Sequence, residues 1–140
     1  GNSPATVHFN NTQARFDTTS VLRLEIQGTN AGTQYDQLVD IDTLNFDGHL
    51  SLAFAGGFEP TAGTRLQLFN FNHFSGHLGA DNISVTGFDA RRLDFNRLSL
   101  DGSLGVTAAV PEPGTWALFS AGLLGLCWLA RRRAGAFHAA

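Results

Sequence analysis

A chain of 140 residues and 15.0 kDa has material for one ordinary domain and not for two. With 43 % hydrophobic and 15 % charged residues it carries enough apolar surface to fold, which excludes a wholly disordered protein. Nine Arg and no Lys stand against nine Asp and three Glu, and a formal charge of −3 with a pI near 5.9 excludes a nucleic-acid binder, which needs a basic stripe for phosphates.

The charge is unevenly placed. Residues 1–110 hold eleven acids and six Arg, a net of −5, whereas residues 111–140 hold Glu112 and three Arg, a net of +2. Cys127 is the single cysteine and has no partner for an internal disulfide. The first residue is Gly1, followed by polar sequence with no apolar leader, so the expectation is a mature secreted chain or one truncated at its N-terminus.

Along residues 1–109 the dominant pattern is alternation. In VLRLEIQ, Leu22, Leu24 and Ile26 fall on one face and Arg23, Glu25 and Gln27 on the other. HLSLAF puts Leu50, Leu52 and Phe54 together, TRLQLF pairs Leu66 with Leu68, and NISVTG pairs Ile83 with Val85. A half-buried strand requires this period of two, because successive side chains point to opposite faces. Glycine-rich breaks separate the runs, and Asp47-Gly48 and Asp101-Gly102 are short-turn signals. LNFDGHLSL and LSLDGSLGV echo each other as Leu-x-apolar-Asp-Gly-x-Leu-x-aliphatic, which predicts two similar strand–turn–strand units. The expected fold is an all-β body, a β-solenoid or β-roll or else a β-sandwich, followed by one C-terminal transmembrane helix. In a solenoid fragment one end would be an open sheet edge for a longer chain to cover.

Few residues of the body carry chemistry. Asp36, Asp40, Asp42 and Asp47 cluster in YDQLVDIDTLNFD, and alternation would place Asp40 and Asp42 on one polar face, a weak calcium candidate. No calcium-loop spacing accompanies them, and a solvated acidic face is the plainer reading. His73 and His77 in a glycine-containing loop without cysteine make a poor zinc site. Phe69, Phe71 and Phe74 read as core packing. No nucleophile elbow, zinc-protease helix, phosphate loop or dinucleotide fingerprint occurs, so neither a catalytic residue nor a cofactor is expected.

The tail is more specific. Residues 114–130, GTWALFSAGLLGLCWLA, run for seventeen positions without a charge, and Arg131, Arg132 and Arg133 follow at once. As a helix they would span about 25 Å, a little less than the ~30 Å hydrocarbon core. Leu118, Phe119, Leu123, Leu124, Leu126 and Leu129 favour insertion by about −2 to −4 kcal/mol in all, and Trp116 and Trp128 stand near the two interfaces. The arginines act as a stop-transfer signal that leaves 134–140 in the cytoplasm as a short tail and the acidic body outside.

Immediately before this run stands Val110-Pro111-Glu112-Pro113-Gly114. A Pro-Glu-Pro motif, an apolar segment and an arginine cluster, in that order near the chain end, resemble the PEP-CTERM sorting signal of Gram-negative bacteria over residues 110–133. The resemblance implies recognition of Pro111, Glu112 and Pro113 by exosortase, a membrane protease-transpeptidase that would cut near the motif. Two prolines suit that role, since they fix φ, remove amide donors and keep the peptide extended. The body is also similar to a segment of PEP-CTERM proteins and autotransporter passengers. That resemblance lies in Gly28-Thr29, Tyr35-Asp36-Gln37-Leu38, Gly48-His49-Leu50, Gly57-Phe58-Glu59-Pro60-Thr61-Ala62-Gly63 and Ser75-Gly76-His77-Leu78. It implies a β-helical surface scaffold.

The expected function is an exported, non-enzymatic surface or extracellular-matrix protein. Its precursor would be anchored in inner-membrane lipid with the body in the periplasm, then released to the cell surface or matrix, with exopolysaccharide or biofilm as a further association. The alternative is a fragment of a polysaccharide-acting enzyme or adhesin whose functional region lies upstream of Gly1.

Overall fold

The computed structural model describes residues 4–109, so the expected transmembrane helix, 114–130, lies outside the described residues. Among those described, nine strands carry the fold: β1 (Thr6–Phe16), β2 (Val21–Ile26), β3 (Gln37–Phe46), β4 (His49–Phe54), β5 (Arg65–Gln67), β6 (Phe69–Gly76), β7 (Ile83–Thr86), β8 (Leu93–Asp94) and β9 (Ser103–Val106). A single 3-10 turn, Ala90–Arg92, is the helical element, and no described helix is long and apolar enough to cross a membrane. The mostly-β expectation holds, and among the described residues no closed barrel forms.

The strands form three sheets of three. β1-β3-β6 and β2-β4-β7 are parallel throughout, and β5-β9-β8 is antiparallel. Parallel neighbours need a crossover between them. Here the crossover is the chain's visit to the other sheet, so each pass lays one strand in each parallel sheet. Thr6 lies beside Gln37, Leu38 beside Phe69, Val21 beside His49 and Leu50 beside Ile83, a repeat of 28 to 33 residues.

The alternating apolar residues point into the space between the sheets. Leu38, Ile41, Leu44, Phe46, Leu50, Leu52 and Phe54 of the middle pass are all 6 % exposed or less. Aromatic rings run through the stack, with Phe16 5.2 Å from Phe46 and Phe46 6.5 Å from Phe69, centroid to centroid. Such tilted pairs add about 0.5–1.5 kcal/mol each beyond area burial.

Two features depart from the sequence reading. The first concerns β3, where Asp40 adopts φ 57° and the register with β6 shifts between Leu38 and Ile41. A second register shift, against β1, falls between Ile41 and Leu44, and the two together make Leu38, Ile41, Leu44 and Phe46 the buried positions. Asp, with Asn, is among the residues that occupy this left-handed backbone most readily after glycine. Strict alternation therefore fails as the reason to pair Asp40 with Asp42.

The second concerns the sequence echo. Asp47-Gly48 joins β3 to β4, which lie in different sheets, so it makes a corner and not a hairpin. Asp101-Gly102 instead ends a run of turns and leads into β9 of the antiparallel sheet. The likeness of the two segments does not extend to their structures, because only the first has a parallel neighbour on each side.

Glycine closes the stack where the chain leaves it. Gly76, at φ 102°, lies opposite Phe46, and a Cβ there would overlap the Phe46 carbonyl oxygen. That oxygen accepts the His77 amide at 2.7 Å. Gly102, at φ 78°, passes over the Phe69 carbonyl in the same way. A residue with a side chain would meet both a forbidden φ and a backbone atom.

Candidate functional site

Pro111, Glu112 and Pro113, the anchor residues from Trp116 to Leu129 and Arg131, Arg132 and Arg133 all lie outside the described residues. What the body offers is a set of carboxylates and imidazoles whose partners define their work.

Tyr35-Asp36-Gln37-Leu38 is the best-tied segment. The two oxygens of Asp36 accept the backbone amides of Ala5 at 2.8 Å and Glu25 at 2.7 Å. The Asp36 amide returns to the Glu25 carbonyl at 2.9 Å. Tyr35 is buried, and its hydroxyl accepts the Gln67 amide at 3.3 Å. The Gln37 side-chain amide donates to the Gln67 carbonyl at 2.9 Å, and the Gln67 side chain in turn donates to the carbonyls of Phe69 and Asp101. One tetrapeptide thus joins the ends of β1 and β2 to the third pass. Sequence reasoning noted this motif only as a likeness. No local signal could have found the role, because both amide donors come from residues 11 and 31 positions away.

The proposed calcium pair is split between partners. Asp40 Oδ2 lies 2.6 Å from His8 Nδ1 in β1, while Asp42 accepts from Thr43 at 3.2 Å and from Asn72 of β6 at 3.5 Å. Among the described residues no group of three or more His, Cys, Asp or Glu side chains could hold a metal ion. His73 stands on β6 opposite Thr43, and His77 pairs with Asp81 at 2.6 Å, so the two histidines serve different neighbours. Phe69 is fully buried, whereas Phe71 and Phe74 pack half-buried against the core and lie 5.7 Å from each other.

Four further acids, Asp17, Asp81, Asp89 and Asp101, hold turns. Asp101 accepts from the Ser103 hydroxyl at 2.6 Å and amide at 3.0 Å, and Arg97 grips its other oxygen at 2.6 and 2.9 Å. These bonds, the Ser103 hydroxyl foremost, bring its carboxyl down to about 2. Asp17 is lowered by the hydroxyls of Thr19 and Ser20, Asp81 by the His77 imidazole and Asp89 by the Arg91 side chain. Each of these carboxylates is arranged to stay ionised and to accept donors from its own turn. A general acid would instead require burial that keeps the proton on.

Residues 109–133 fit the family model of the PEP-CTERM protein-sorting motif. Its span agrees with the tripartite tail read from the sequence to within one residue at its start. The match suggests an exported, membrane-processed protein sorted by exosortase. No curated protein and no solved structure matches the chain.

Proposed function

We propose that this chain is an exported, non-enzymatic surface or extracellular-matrix protein whose tail hands it to an exosortase-type membrane protease-transpeptidase. The observation that carries the reading is the sorting motif at 109–133. Pro111, Glu112 and Pro113 are the recognised peptide, and residues 114–130 hold it at the surface of the lipid as a temporary anchor. Arg131, Arg132 and Arg133 stay on the cytoplasmic side and the acidic body waits in the periplasm before transfer to the surface or matrix.

We read the body as a β-solenoid scaffold. Parallel registers repeating every 28 to 33 residues support that reading, as does the use of Asp36 and Asp101 to satisfy backbone amides. A stack of this kind grows by adding passes and presents long polar outer faces, which suits a matrix component near exopolysaccharide.

Mass spectrometry of the C-terminus, in hosts with and without exosortase, tests the assignment. A mature chain ending near Pro111 only in the competent host supports it, and intact Ala140 in both overturns it. Glu112→Ala is expected to leave membrane insertion unchanged and to slow processing, read as accumulation of the uncut form. Equal processing of variant and parent removes the glutamate from the recognised set.

A further inference from the structure

The antiparallel sheet turns Leu66, Leu104, Leu93 and Val106 to the core and its other face outward. On that outer face Gly105 is paired with Arg65 on one side and Asp94 on the other. Residues directly opposite in antiparallel strands point the same way. The row therefore reads cation, bare backbone, anion. Gly63 leaves a second gap beside it, since a Cβ built there would meet nothing within 4 Å. The result is a hollow of about 150 Å³ bounded by Arg65, Asp94, Thr64 and Thr107 over a glycine floor.

The hollow's two charged groups do not pair with each other. Two strand spacings separate the Arg65 and Asp94 backbones by about 9.5 Å. Among the described residues neither side chain makes an ion pair, and Asp94 gives one oxygen to the Asn96 amide at 2.9 Å. The surrounding backbone is occupied by the sheet, with the Val106 amide on the Thr64 carbonyl at 2.9 Å and the Thr107 amide on the Arg92 carbonyl at 2.7 Å. The Thr107 hydroxyl donates to the Arg92 carbonyl at 3.2 Å and the Thr64 hydroxyl pairs with that of Thr61 at 3.4 Å, so what remains to face a ligand is a guanidinium fork and a carboxylate oxygen.

We propose that this hollow binds a small zwitterion, its carboxylate on the Arg65 guanidinium and its ammonium on the Asp94 carboxylate. A planar fork receives a carboxylate through two parallel hydrogen bonds. A ligand with one charge would pair with one wall and be repelled by the other, whereas a zwitterion pairs with both. No aromatic ring lines the hollow, so a sugar ring would find no face to stack on. Arg65 is exposed, and solvent weakens its attraction, which sets the affinity near the millimolar range.

The test is a nuclear magnetic resonance titration of the isotope-labelled full chain in detergent micelles. The probes are glycine, β-alanine and 4-aminobutyrate, which set the two charges at increasing separation. Saturable shifts of the Gly63, Gly105 and Thr107 amides by at least one probe are expected, with a Kd of about 1–10 mM. Arg65→Gln and Asp94→Asn are each expected to weaken that binding about tenfold or more, with the other amide signals unmoved. Binding of acetate, methylammonium or glucose as tight as that of the best zwitterion overturns the proposal. So does a failure of all three zwitterions to saturate by about 100 mM.

Discussion

The middle and first passes of the chain carry the same alternating pattern but differ in what it achieves. In β3 and β4 the inward residues are sealed, with Leu44, Phe46, Leu50 and Leu52 fully buried. In β1 and β2 Ala14, Leu24 and Ile26 are as deeply buried, but Phe9, Phe16 and Leu22 pack against the core only half-buried. The middle strands have a parallel neighbour on both edges, whereas β1 and β2 have one each. In a stack of this kind alternation selects the face, and a second neighbouring strand completes the burial of positions such as Leu50 that the edge strand leaves half-buried at Leu22.

The largest effects should come from the column Leu22–Leu50–Ile83. Leu50→Ala is expected to cost about 2–5 kcal/mol, and Leu22→Ala less than about 2, both read from urea unfolding of the full chain in detergent. Equal losses would break the comparison. Glycine gives a second contrast. Gly76→Ala meets the Phe46 carbonyl and is expected to cost about 3 kcal/mol or more. Gly57→Ala, at φ 73° but in open space, should cost about 1 kcal/mol. If the two variants unfolded at the same urea concentration, close passage over the strand below would not be what requires glycine.

Asp36→Ala should cost about 2–3 kcal/mol, because it strands the Ala5 and Glu25 amides that tie the first pass to the second. Hydrogen exchange should rise first in β1 and β2 and leave β4 protected, and uniform acceleration would show that the tie is not local. The smallest effect concerns Asp101. Its carboxyl falls to about 2 in the folded chain against 3.8 ordinarily, so the unfolded state takes up the proton more readily. The stabilisation is therefore complete above about pH 4, shrinks as the pH drops and is gone below about pH 2. The side chain is 37 % exposed, and solvent screening reduces the full linkage value to about 1 kcal/mol. Asp101→Asn should lose that amount at pH 7 and nothing near pH 2, and a pH-independent difference would place the effect in packing.

Much of the body was legible in the sequence. Leu24, Ile26, Leu50, Leu52, Phe54, Leu66, Leu68 and Ile83 are buried where alternation placed them. The phase of β3 around Asp40 was not legible, because a left-handed residue and a register shift break the alternation and neither composition nor period records a bulge in advance. The work of Asp36 was hidden for a related reason. Its two donors come from Ala5 and Glu25, which lie 31 and 11 residues away, and local spacing says nothing of groups that only the fold brings near.

By itself the sequence determined the strands β2, β4, β5 and β7 with their inward faces, and the sorting motif, since all of these depend on side-chain chemistry within a few neighbouring positions. The tertiary structure alone decided which edges pair. LNFDGHLSL became a corner between parallel sheets, while its echo led into an antiparallel one. A period of two is the same for every strand, and the choice between parallel and antiparallel neighbours rests on backbone hydrogen bonds made across some thirty residues of chain.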